Sequence, residues 1–266
     1  MRRLALLVTV LSIPVVVLAC SKDEPKPAIL AESASALVAA APPKSAKVMP
    51  YAIDAASKTS IDMPAPNEHI KADTSAAAGK LDVDLMNVEN SRGEVKIDLT
   101  TLTTHTFDDA DKNTSQTTHS HNWLEVGDLV DAQTKEANKY AVFAIQSVDG
   151  ASAKDVSKVA PVKEGGDDVR TVTLTAHGEF LVHGHKVKKD VPLEVKFHSP
   201  AGSAPDAQPT RIDVRTTSPM KVLLAEHDVK PRDNFGKLAQ KSFNLLGTKV
   251  AETADVTLDL HFNAAK

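Results

Sequence analysis

The sequence predicts an all-β protein built from antiparallel sheet, either a sandwich or a closed barrel, behind a short non-strand leader. Three observations carry this. Strand-like alternation of apolar and polar residues recurs from about residue 50 to the C-terminus. Helical periodicity is scarce. Each alternating segment has one apolar and one polar face, as expected of a sheet that buries one side only.

The chain opens with MRRLALLVTVLSIPVVVLAC. Arg2 and Arg3 form a charged region, Leu4 to Leu18 is apolar, and small Ala19 precedes Cys20, which is the layout of a secretory signal over residues 1–19. Val17-Leu18-Ala19-Cys20 resembles a bacterial lipobox, in which the cysteine is lipidated and becomes the first mature residue. Two acyl chains give stable membrane attachment. Cys20 is the only cysteine, so no intramolecular disulfide is expected. Without Arg2 and Arg3, the 31 basic residues become 29 against 35 acidic, a formal charge of −6. Nothing in that balance attracts nucleic acid. Residues 20–48 are rich in Ala, Pro, Ser and Lys, and Pro25, Pro27, Pro42 and Pro43 forbid one continuous helix. They are expected to form a flexible tether to a folded domain over residues 49–264.

Within that domain, GKLDVDLMNV sets Leu81, Val83 and Leu85 on one face, and GEVKIDL does the same with Val95, Ile97 and Leu99. YAVFAIQSV, with Phe143 and Ile145, is apolar on both faces and predicts a more deeply buried strand. VRTVTLTAHGEFLV carries Val172, Leu174, Phe180 and Val182 at even positions. KVKKDVPLEVKF carries Leu193, Val195 and Phe197 at odd positions. TRIDV and DVTLDLHF continue the pattern. Helix is expected only around His119–Leu124 and Phe235–Leu246. Residues 101–118, 149–168, 199–210 and 227–236 are expected to be long polar loops.

The parity flip falls at Gly184, in the sequence His183-Gly184-His185, and marks a hairpin turn at a residue free to adopt positive φ. Extrapolating the two strands sends His183 and His185 to opposite faces, which argues against joint metal ligation. His105, His119 and His121 offer a composite metal site on one loop, but no ligand spacing of a known kind supports it. DDADKNTSQTTHS starts like a calcium loop, yet Thr114 and Ser120 stand where glycine and glutamate belong. No metal is expected.

Several segments together resemble the YceI family of bacterial periplasmic lipid-binding proteins. YAIDAASKTS is similar to that family's first strand, and LDVDLMNVENSRGEVKIDLTTLTTHTF to its next two. HNWLEV takes the place of a short helix. GEFLVHGHKVKKDVPLEV resembles the signature hairpin, with Gly178, His183, Gly184 and Val191 in register, and VAETADVTLDLHF the closing strand. The family's D-F-G is represented by His227-Asp228-Val229 and a separate NFG over 234–236. The resemblance implies a lipocalin-like antiparallel β-barrel with one or two short helices and an apolar channel that holds a polyisoprenoid chain, such as a quinone tail or prenyl phosphate.

The expected lining is Leu81, Val83, Leu85, Val95, Ile97, Leu99, Phe143, Ile145, Val172, Leu174, Phe180, Val182, Leu193, Val195 and Phe197. No catalytic residue is expected. G-x-S-x-G, P-loop and G-x-G-x-x-G motifs are absent, and the one thiol sits at the anchor. No cofactor is expected beyond a bound polyisoprenoid or isoprenoid quinone. The sequence thus points to a membrane-tethered, non-enzymatic periplasmic carrier of an apolar lipid. Ser21 favours outer-membrane sorting if the enterobacterial rule applies. The alternative is an envelope interaction or structural lipoprotein with a filled barrel and no small-molecule ligand. Protein partners are not specified by the sequence.

Overall fold

β9 (Asp167–Val182) and β10 (His185–Pro200) pair antiparallel along their whole length, from Val182 opposite His185 to Asp167 opposite Pro200. The turn is two residues long. His183 (φ 50°) and Gly184 (φ 73°) both adopt the left-handed conformation that a tight hairpin following the sheet's twist requires. In this computed structural model, residues 37–44, 46–64, 69–75, 77–232 and 251–265 are described. Cys20, the signal segment and the helix expected over Phe235–Leu246 lie outside them.

The sheet builds outward from that hairpin. β9 also pairs with β7 (Tyr140–Asp149), β7 with β5 (Arg92–Asp98), β5 with β4 (Ala77–Asp84), and β4 with β1 (Val48–Ile53). On the other side β10 pairs with β11 (Arg211–Thr216), and β11 with β13 (Thr253–Ala264). β13 pairs with β1, so these eight strands close into a barrel. At its N-terminal half, β13 exchanges β1 for β2 (Lys58–Pro64) and β11 for β12 (Met220–Leu223). β2 continues to β3 (His69–Thr74) and the two-residue β6 (Thr103–Thr104). The short β8 (Val162–Glu164) pairs with β9 on the outside of the ring. The antiparallel all-β barrel is therefore the observed fold.

One core lies within the barrel and includes Tyr51, Val172, Phe197, Ile212, Leu260 and Phe262, each at most 2% exposed. Burial pushes the Tyr51 phenol up to about 12, against a smaller opposing effect of Gln208, and its hydroxyl donates to the Pro209 carbonyl at 3.1 Å. β7 is buried on both faces, as its sequence predicts. Its outer residues Val142 and Ala144 pack with Leu181 and with Leu37 from the segment assigned to the tether. The Ala40 amide donates to the Ile145 carbonyl at 3.1 Å, and Gln146 donates to the Val38 carbonyl at 3.1 Å. Residues 37–40 thus belong to the barrel's outer wall, and the expected flexible tether over 20–48 does not extend that far.

Two helices depart from expectation. α1 (Ala110–Trp123) contains the helix expected around His119–Leu124 but begins earlier, taking half of the stretch expected to be loop, and α2 (Ala132–Asn138) lies where no helix is predicted. Asp109, in the stretch expected to be polar loop, caps α1 by accepting from the amides of Asp111 and Lys112. Asp131 caps α2 through the Thr134 amide. α1 lacks a broad apolar stripe and docks through polar groups instead. The Thr104 amide donates to Thr117 Oγ1, the Thr104 hydroxyl to the Asn113 carbonyl, and Thr106 to Gln116. The segment 149–168 also gains order, with one 3₁₀ turn at Val156–Lys158 and β8. Among the described residues no helix is long and apolar enough to cross a membrane.

Candidate ligand-binding cavities

Two apolar cavities remain, of about 80 Å³ and about 170 Å³, where one water needs roughly 10–15 Å³. They share a wall at Val95, Phe143, Val191 and Leu258. The Phe143 ring lies against Gly178 of the neighbouring strand, where an added Cβ would stand 2.5 Å from Cζ.

The smaller cavity lies inside the closed ring. Leu81, Val83, Ile145, Leu174, Leu193, Val195 and Phe197 from the expected set line it. Arg92 and Ser91 are its polar members. Burial lowers the Arg92 pKa from its ordinary value, and its guanidinium donates to the carbonyls of Glu89 and Ser91. The larger cavity takes Ile97, Leu99, Phe180 and Val182 from the expected set. Val95 and Phe143 border both. Leu85 and Val172 are buried in the same core but border neither cavity.

Several lining residues were not in that set. Ile212, Val214, Leu258, Leu260 and Phe262 lie on strands whose alternation was visible, so the signal existed. Ile61 and Met63 of β2, Ile70 and Ala72 of β3, and His227 reach the larger cavity from elements with no such signal, and Trp123 and Leu124 reach it from the C-terminal end of α1, in the stretch expected to be helical.

At the hairpin end of the larger cavity is a compact polar cluster. His183, Glu125 and Asp228 are the described non-glycine residues with positive φ, at 50°, 53° and 52°, and all three meet here. His183, 6% exposed, donates from Nδ1 to the His227 carbonyl at 3.1 Å, and its Nε2 lies 2.6 Å from Glu125 Oε2. Arg232 pairs with both Glu125 and Asp228. Burial acts to raise Asp228, but Lys230 and then Arg232 prevail and hold it below the usual carboxylate range. Such left-handed residues are costly and tend to gather where the surrounding structure fixes a functional geometry.

His183 and His185 are not sent apart as strand extrapolation predicts. Their rings stack at 6.3 Å, and together with Asp228 they present ligand atoms within 4.8 Å of one another. The extrapolation fails because His183 sits in the turn and no longer follows the strand's alternation. Both nitrogens of His183 are already engaged and Asp228 is held by two cations, so a metal would have to displace these partners. His105, His119 and His121 form no such group among the described residues. His105 faces Asp73 and His121 faces the Leu102 carbonyl.

His227 is fully buried. Its Nδ1 is 3.0 Å from the His185 carbonyl, and its ring meets Phe180 edge-on at 5.4 Å. Burial lowers its pKa, against smaller upward effects of the His185 and Val182 carbonyls. Its Nε2 has no hydrogen-bond partner, and neither does the Thr59 hydroxyl; both residues line the larger cavity.

No protein-family model matches the sequence, and no curated protein matches it. Among solved structures the chain is similar to a polyisoprenoid-binding domain from Saccharophagus degradans implicated in plant cell wall breakdown, with 17% identity, a TM-score of 0.49, and coverage of 82% of this chain and 99% of that one. It is also similar to BcnA of Burkholderia cenocepacia, with 13% identity, a TM-score of 0.49, and coverage of 79% and 98%.

Proposed function

We propose that the protein binds an apolar lipid inside its barrel, of the polyisoprenoid or isoprenoid-quinone class, while tethered at the periplasmic face of a membrane through Cys20. The observation that carries the binding role is the larger cavity, about 170 Å³ and walled almost wholly by aliphatic and aromatic side chains. An apolar cavity holds water poorly and hydrocarbon well. Each Å² of ligand surface removed from water contributes roughly 25 cal/mol. A branched chain without hydrogen-bonding groups suits the partition at Phe143, because it can bend around the ring and leave no polar atom stranded. The order of motifs around GEFLVHGHKVKKDVPLEV, which resembles the YceI family, supports the same class. The tether rests on the lipobox-like run ending at Cys20, and Ser21 favours the outer membrane.

The test is native mass spectrometry with organic extraction on the full chain expressed with its own leader. A stoichiometric apolar mass, together with a diacyl adduct lost in Cys20→Ser, is the expected result. An empty protein that also refuses added isoprenoids would sink the binding role and turn attention to a protein partner. Membrane release unaffected by Cys20→Ser would sink the tether.

A further inference from the structure

We infer that the larger cavity selects a ligand that carries a hydroxyl group, by offering His227 Nε2 as a buried hydrogen-bond acceptor. The inference rests on the apolar-ligand reading and adds the one functional group the ligand must present. Nδ1 faces the His185 carbonyl at 3.0 Å, and a carbonyl only accepts, so Nδ1 carries the ring proton. Burial favours the uncharged ring. Nε2 is therefore a bare lone pair, fully enclosed, without a partner in the protein, on the wall of an apolar cavity. Native interiors leave few such atoms unsatisfied, and each calls for an explanation.

An ordered water explains it poorly. A buried water needs two to four polar partners, whereas Phe180, Leu224 and Val229, which border the same cavity, offer no side-chain polar atom, and beside His185 only the Val182 carbonyl acts on the ring. The Thr59 hydroxyl is the other unpartnered polar atom of this cavity, on the β2 wall, and can donate to or accept from a second ligand oxygen.

The placement of His227 is also enforced. Its carbonyl accepts from His183, its Nδ1 is tied to the hairpin, and the next residue is the left-handed Asp228 held by Lys230 and Arg232. Left-handed His183, bonded to its carbonyl, and left-handed Asp228, next in the chain, fix where its free nitrogen points. A lone-pair acceptor discriminates by chemistry. An isoprenoid alcohol or a hydroquinone can donate an O–H to it. A quinone, a methyl ether or a carboxylate has no hydrogen to offer, and the carboxylate would also lose its hydration.

The experiment uses the full chain, stripped of lipid, titrated with farnesol and with farnesyl methyl ether as a matched pair. Farnesol is expected to bind about fivefold tighter, the size of one net hydrogen bond. In His227→Phe, which keeps a ring but removes the acceptor, the ratio of farnesol to ether affinity should fall to about one, whatever the variant does to the two affinities themselves. Thr59→Val should leave most of the preference in place. A second readout needs no variant: the ¹⁵N resonance of His227 Nε2 should move on adding farnesol and stay on adding the ether. Equal wild-type binding of the pair overturns the inference and leaves the apolar-ligand reading standing. Preference retained in a folded His227→Phe, or an unmoved Nε2 resonance, overturns it as well. If neither compound binds, the apolar-ligand reading itself fails.

Discussion

The two cavities share the Phe143 partition but differ in what encloses them. Around the smaller one the wall is the closed ring of strands, held at the fixed spacing of hydrogen-bonded neighbours. Large side chains such as Phe197, Ile212 and Phe262 stand side by side on its wall and leave about 80 Å³. Around the larger one the ring has parted. β13 has changed partners on both edges, and β2, β3, α1 and the turn at Leu224–His227 complete the wall. Helix and loop stand farther off than paired strands, and about 170 Å³ stays open. The same irregular elements bring the unpartnered polar atom His227 Nε2, which a strand's alternation would have kept outside. Regular pairing makes the stable end of this barrel, and its interruption makes the receptive end.

The difference can be tested first through stability. Phe262, 1% exposed, borders the smaller cavity, and Phe262→Ala should cost about 3–5 kcal/mol. That is a large share of a typical domain's 5–15 kcal/mol, roughly. Ile61, half-buried on the wall of the larger cavity, already faces open space, so Ile61→Ala should cost only about 1–2 kcal/mol. Urea denaturation of both variants measures the contrast. Equal losses would mean that the two ends are packed alike.

A smaller effect is expected at the partition. An added Cβ at Gly178 would stand 2.5 Å from Phe143 Cζ and 2.7 Å from the Ala144 carbonyl oxygen. The ring can swing aside, but the carbonyl belongs to a paired strand and cannot. Gly178→Ala should therefore lose about 1–3 kcal/mol and displace the Phe143 ring toward one cavity, visible in its aromatic NMR shifts. A variant with wild-type stability and unmoved shifts would show that Phe143 does not divide the interior in this way.

What the sequence revealed follows the same division. The ring end was legible because alternation over β9, β10, β11 and β13 places each inward residue, and Gly184 marks the reversal. The receptive end was legible only in part, through Ile97, Leu99, Phe180, Val182 and the short helix around His119–Leu124. α1 is fixed by Thr104, Thr106, Asn113, Gln116 and Thr117, whose hydrogen bonds leave no apolar period to read. His183 and His185 come together because one sits in a left-handed turn, which parity cannot anticipate. His227 enters the interior from a turn whose position depends on distant partners. The two-faced apolar pattern of β7 did signal a cover on its outer side, but only the structure identifies Leu37 as part of it.

The smallest expected effect concerns acid. Burial lowers the pKa of His227 and of His121, both at the receptive end. The Leu102 carbonyl and Asp128 oppose this at His121, and Lys135 adds to it; at His227 Lys189 adds and Glu226 opposes. A histidine in the unfolded chain takes up its proton near pH 6.5, roughly, while these two take it up only at lower pH. The stability they contribute is complete above about 6.5 and is lost as pH falls through the window below it. His177, on the outer face, runs the other way. Hydrogen bonds to Asp190 and Asp149 raise it, so its contribution is present below about 6.5 and is lost as pH rises through its raised value. Its side chain is 32% exposed, which screens that term. Urea midpoints at pH 7.5 and 5.5 should therefore fall on acidification. His121→Gln, which keeps a donor for Leu102, should flatten the fall, and His177→Gln should steepen it. An unchanged midpoint between the two pH values would mean that the receptive end does not hold its imidazoles neutral, and would remove the basis for treating it as the titrating half of the barrel.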